Sequence, residues 1–161
     1  MTKEFSFPKH LLTPTKIFLS FLTLGGSPIS PGTIASIFSI PIIFFFYKYL
    51  SITIFLLYIL LIYTISVNLT KKIQERPYDQ RWIVIDEFIG MCITLLPLFI
   101  LHKFTFLFSL VGLILFRIFD ITKPSIIRKI DDLETPSSVI LDDVVAGIVS
   151  SIILFFITKI F

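Results

Sequence analysis

Val139-Ile140-Leu141-Asp142-Asp143-Val144-Val145-Ala146-Gly147-Ile148 sets two adjacent carboxylates into the start of an apolar run that continues to Phe161. At the centre of a bilayer helix each Asp costs roughly +2.5 to +3.5 kcal/mol, and each Leu, Ile, Val or Phe returns only about 0.3 to 0.6. Two acids therefore cancel most of the insertion energy of the run. They belong at the membrane surface or inside a helix bundle, holding a cation or a protonated partner. The fold then depends on whether other stretches bring matching groups to the same depth.

The rest of the chain has a membrane composition. Of its 161 residues 55% are hydrophobic, and the mean hydropathy is +0.96. Nineteen Phe would leave a soluble domain of this size with more apolar surface than it could bury. The single Cys92 excludes a disulfide and a multi-cysteine zinc site. The net charge of +3 includes no basic run interleaved with aromatics, which argues against a nucleic-acid partner. An anionic leaflet or anionic lipid is the expected electrostatic partner.

Residues 1–16 read as a polar cytosolic lead. Ile17 to Leu24 is too short to span and is expected to form an interfacial helix. After the Gly/Pro-rich segment Gly25 to Thr33 come five apolar stretches, Ile34 to Leu50, Ile52 to Leu69, Ile83 to Leu101, Phe104 to Phe119 and Val139 to Phe161. The expected fold is an all-α, multi-pass membrane bundle of four to five apolar helices, one domain over 1–161. If the N-terminus is cytosolic and all five stretches cross, Lys3, Lys9, Lys16, Lys71, Lys72, Arg76, Arg81, Arg117, Lys123, Arg128 and Lys129 lie inside. Only Lys48, Lys103 and Lys159 lie outside, a positive-inside bias. The same threading places all eleven acids on the cytosolic side, although they were not used to choose it.

Three chain-distant acidic groups thereby reach one depth: Asp86 and Glu87, Asp120, and Asp142 with Asp143. Gly90 and Gly147 each follow an acid by four residues, which allows close helix approach beside the charges. Arg117, Asp120 and Pro124 share one helical face, with Lys123 three beyond Asp120. Read singly, these are capping acids, packing glycines and snorkelling anchors. Together, five carboxylates would repel unless a cation sits among them. A hard divalent ion fits, and Mg²⁺ is the usual one where phosphate is also held. Arg117 and Lys123 then serve as phosphate clamps. Gly32 and Thr33 are candidates to receive an anion at the start of the first span, with a plain N-cap as the alternative for Thr33. Between Lys123 and Ser138, Ile126, Ile127, Ile130 and Leu133 at helical spacing predict a short amphipathic helix on the inner leaflet, or else a solvated connector.

Other phosphatase chemistries lack their residues. His10 lies in the N-terminal lead and His102 on the far side from the acids, so no phosphohistidine is available at the site. Cys92 has Leu98 rather than Arg six positions on, and no Asp-x-Asp pair exists. Attack by metal-activated water, with a carboxylate as base, is the phosphatase mechanism that remains.

Ser27-Pro28, Pro31-Gly32-Thr33, Asp86-Glu87 with Gly90, Phe116-Arg117 with Asp120 and Lys123-Pro124, and Asp142-Asp143 with Ala146-Gly147 together resemble the bacterial phosphatidylglycerophosphatase A family. The resemblance runs from about Leu24 to Ser150. It implies an all-helical, Mg²⁺-dependent enzyme of the bacterial inner membrane that acts at the cytosolic face. Its substrate would be the anionic phospholipid phosphatidylglycerophosphate, converted to phosphatidylglycerol and phosphate. Asp86, Glu87, Asp120, Asp142 and Asp143 would supply metal and base carboxylates, with Arg117 and Lys123 on phosphate. Thr23 and Ala35 stand where the family usually has glycine, Ile126 replaces a common proline, and Pro136-Ser137 replace small residues. A cation or proton transporter and a non-catalytic membrane subunit are the alternatives for the same carboxylates. A CDP-alcohol phosphotransferase lacks its long signature here.

Overall fold

The computed structural model describes residues 13–73 and 80–161. The polar lead through residue 12, with Lys3, Lys9 and His10, lies outside them, as does Arg76. The described residues form eight α-helices and one 3-10 turn and no strand: α1 (Pro14–Leu19), the turn Leu24–Gly26, α2 (Pro31–Tyr49), α3 (Ile52–Ile73), α4 (Ile85–Thr94), α5 (Leu96–Ile100), α6 (Phe106–Thr122), α7 (Ile126–Asp131) and α8 (Ser138–Ile160). Three of them, α2, α3 and α8, are long and apolar enough to cross a membrane.

The expectation of four to five spans is met by length and composition for these three. The stretch Ile83 to Leu101 does not form one helix. It turns at Leu95 and restarts with Pro97 in the first turn of α5. A proline ring clashes with the carbonyl four residues earlier and offers no N–H, so a break just before it is the expected result. The helix α6 has 17 residues. The segment Ile17 to Leu24 also differs from a lone interfacial helix. Helix α1 stops at Leu19, and Phe21, Leu22 and Thr23 follow with φ of 46°, 55° and 76°. Non-glycine residues pay for that conformation. Here it is held by Leu22 N–H on the Ile17 carbonyl, Gly25 N–H on the Ser20 carbonyl, and the Phe21 ring 4.6 Å from that of Phe88.

The centre of the bundle is the pair α4 and α8, which start side by side. A Cβ added to Gly147 would press on the backbone of Gly90, and one on Gly90 would meet the Phe116 ring and the Asp143 carbonyl. The spacing of glycine four after acid thus acts in both helices as expected, bringing two backbones together immediately below the charges. Helix α6 runs antiparallel to α8: its C-terminal Lys123 reaches Asp142, and its Gly112 lies against Leu154. Buried hydroxyls need partners in such a core, and most find one four residues back along the chain. Ser36, Ser39, Ser66, Thr70, Thr94, Ser109, Ser150 and Thr158 all donate to the carbonyl four residues earlier, at 2.7 to 2.9 Å.

Candidate active site

The ends of four helices form the site, with the acids on α4, α6 and α8, and each end has a local cause. Helix α2 opens at Ser30, in the left-handed region with φ 40°, followed by Pro31 in the first turn. Proline is suited to that place because its missing N–H has no helical partner there. Helix α4 starts once Val84 N–H is tied to the Leu19 carbonyl at 3.0 Å. Gly25 sits directly on the Trp82 carbonyl, where a side chain would not fit. Helix α6 ends on a left-handed cap at Lys123, φ 41°, with its N–H on the Phe119 carbonyl and Pro124 blocking continuation. Before α8, Thr135 and Ser138 exchange hydrogen bonds, Ser138 N–H to Thr135 Oγ1 at 3.1 Å and Thr135 N–H to Ser138 Oγ at 2.9 Å.

These ends surround a cleft of about 320 Å³, lined by residues that include Gly32, Asp86, Glu87, Arg117, Asp120, Lys123, Asp142 and Asp143. All five predicted carboxylates and both predicted bases therefore meet in one place. Thr33 lies in the first turn of α2 but not on the wall of the cleft, and the cap of α2 is Ser30. Gly32 serves the site by lacking a side chain, since a Cβ there would fall on Glu87 Oε1.

The carboxylates divide into groups. Asp86, Glu87 and Asp143 each offer an oxygen within 4.8 Å of the others. Asp120 lies against Arg117 Nη1 at 2.5 Å, and Glu87 Oε1 is 3.9 Å from the same nitrogen. Asp142 accepts from Lys123 Nζ at 2.8 Å through Oδ2, and Lys123 also pairs with Asp131 of α7 at 2.7 Å. Burial works to lower the Lys123 pKa, but hydrogen bonds and charge from Asp131 and Asp142 outweigh it and raise the ammonium above the ordinary lysine range.

Several buried polar atoms lack a hydrogen-bond partner: Glu87 Oε2, Asp142 Oδ1, and Nε and Nη1 of Arg117. The Arg117–Asp120 pair is thus a contact of charges without the alignment of a hydrogen bond. Glu87 Oε2 and Asp142 Oδ1 are acceptors open to a cation and Arg117 Nε is a donor open to an anion, while Arg117 Nη1 is already engaged by the Asp120 charge.

The sequence reading missed Asp131 and Arg81. Asp131 falls in the connector read as an amphipathic helix. Helix α7 does form there, yet only Ile127 of its apolar set is fully buried, while Ile126 and Leu133 remain exposed. Arg81 lines the cleft and donates to the Pro28 carbonyl at 3.1 Å. Its only signal was its place five residues before Asp86.

A family model described as phosphatidylglycerophosphatase A matches residues 17–158. The phosphatidylglycerophosphatase A of Escherichia coli (strain K12) is 36% identical over 136 residues, which is 83% of this chain and 77% of that protein. The phosphatidylglycerophosphatase A of Haemophilus influenzae is 33% identical over 129 residues, 78% of this chain and 77% of that one. No solved structure matches the chain with significance.

Proposed function

The chain belongs to the phosphatidylglycerophosphatase A family, and from that premise we propose that it hydrolyses phosphatidylglycerophosphate to phosphatidylglycerol and phosphate. The observation that carries this reading beyond family membership is the cleft itself, where buried carboxylate oxygens and the buried Nε of Arg117 lack hydrogen-bond partners. A phosphomonoester with its counter-cation supplies both.

The donor set fits Mg²⁺, a hard ion that takes oxygen ligands. Asp86, Glu87 and Asp143 would hold it, and Glu87 Oε2 would gain the partner it lacks. Bound there, Mg²⁺ supplies positive charge to phosphoryl oxygens and acidity to water. The chain's own groups do the rest. Arg117 would offer Nε to a phosphoryl oxygen, while Asp120 holds the guanidinium through Nη1. Lys123, the cap of the same helix, would give a further donor. Asp142 Oδ1 is the candidate general base, because it is a buried carboxylate oxygen free to take a proton.

The cytosolic orientation rests on the bases. Lys71 and Lys72 end α3 at the site end of the bundle, where Lys123, Arg128 and Lys129 also lie. Lys48 and Lys159 close α2 and α8 at the other end. That asymmetry favours the site end facing inside.

The test is phosphate release from phosphatidylglycerophosphate by the purified chain, with Mg²⁺ and with EDTA. Release is expected only with Mg²⁺, and Asp143→Asn should lower kcat by about 10²- to 10³-fold without preventing insertion. Full activity in both Asp142→Asn and Asp143→Asn would remove the site assignment.

A further inference from the structure

We infer that Asp131 is a positioning residue of the site: it holds the Lys123 ammonium from α7 so that one N–H is left aimed into the cleft. This rests on the reading above, in which Lys123 contacts the substrate phosphate.

An ammonium has three donors and no acceptor. In Lys123 two are committed, to Asp131 Oδ1 at 2.7 Å and to Asp142 Oδ2 at 2.8 Å. Because Lys123 also lines the cleft, fixing two donors on chain groups directs the third toward its interior. A lysine needs this help more than an arginine would. Its charge is a point at the end of a flexible four-carbon stem, with no rigid fork to fix its direction. The backbone contributes one constraint, the left-handed cap at Lys123, and Asp131 contributes the second from a separate helix.

Helix α7 is placed for this task. It is six residues long, too short to be stable alone, and Ile127 is its single fully buried side chain. The ion pair at its last residue is the polar anchor that complements this apolar one. Asp131 lies outside the carboxylates that come together for a metal, because its partner is Lys123. Its loss should therefore weaken phosphate contact and leave the metal-binding acids in place.

Inorganic phosphate is the probe. Its binding to the full-length protein in detergent micelles can be followed by phosphorus NMR line broadening, and KM and kcat for phosphatidylglycerophosphate can be measured on the same samples. Asp131→Asn keeps the shape but removes the charge, so phosphate affinity should fall on the order of tenfold, with KM rising by a similar factor and kcat changing less. Asp131→Glu keeps the charge on a longer arm and should restore most of the affinity. A packing role would give the opposite order, with Asn tolerated and Glu harmful. Wild-type phosphate affinity in Asp131→Asn, or an Asp131→Glu variant no better than Asp131→Asn, would overturn the inference, provided thermal unfolding shows both variants folded. If the wild-type protein releases no phosphate from the lipid yet its phosphate binding depends on Asp131 in this way, the substrate assignment fails and the positioning role stands.

Discussion

The two ends of this bundle are built from the same helices by different means. At one end, the first turn of α4, the second turn of α8 and the last turn of α6 crowd carboxylates against Arg117 and Lys123, leaving buried atoms of both signs without hydrogen-bond partners. At the other, rings pack on one another. Phe55 stacks on Phe99 at 4.4 Å between centroids, Tyr47 meets the edge of Phe99 at 5.2 Å, and Phe104 lies 5.1 Å from Tyr47. At the aromatic end the contacts are offset and edge-on, the arrangements that rings prefer. The acidic end gathers charge and the other gathers rings, with the tight Gly90–Gly147 crossing between them.

That division can be broken most severely at the crossing. Gly147→Val would put a side chain into the Gly90 backbone and push α4 off α8, separating Asp86 and Glu87 from Asp143. Displacement of catalytic groups by about 1 Å can cost roughly 10²-fold in rate, and overpacking costs about 1–3 kcal/mol in stability. Steady-state kinetics and thermal unfolding should both register the change. Phe55→Ala attacks only the aromatic end. The cavity should cost about 3 kcal/mol, seen as a lower unfolding midpoint, while kcat of the folded protein stays within about twofold because the sites are distant. The smallest effect belongs to Lys103→Ala. It removes the Lys103 Nζ bond to the Thr158 carbonyl at 2.8 Å, worth about 1 kcal/mol, and should leave phosphate release unchanged. A fall in kcat for either far-end variant would show that the two ends are coupled.

The acidic end was legible in the sequence because charge in an apolar chain is expensive and therefore placed with purpose. Threading by the bases was enough to bring Asp86, Glu87, Asp120, Asp142 and Asp143 to one depth, and the glycine spacing marked where a helix could approach closely, though not which helix would. What could not be read was the division of labour among the acids. Asp142 and Asp143 are adjacent and diverge by about 100° on a helix, and only the packing of α6 and α7 shows that one faces Lys123 while the other joins Asp86 and Glu87. Asp131 was hidden for the same reason, since its partner is set by where α7 docks. The break at Pro97 carried a visible signal. The left-handed run at Phe21 to Thr23 carried none, as it is imposed by tertiary contacts on residues that would not choose it.

The hydroxyls of the spans bear on how such a protein is assembled. Ser36, Ser39, Ser66, Thr70, Ser150 and Thr158 bond to carbonyls of their own helices, so each span carries these polar groups into lipid already satisfied. Such helices can enter the bilayer one at a time and dock afterwards. Asp142 and Asp143 are the exception, as nothing within α8 neutralises them. The segment bearing them is synthesised after Glu87, Arg117 and Lys123 have already been made. The order of the chain thus delays its costliest insertion until the partners for that charge are waiting.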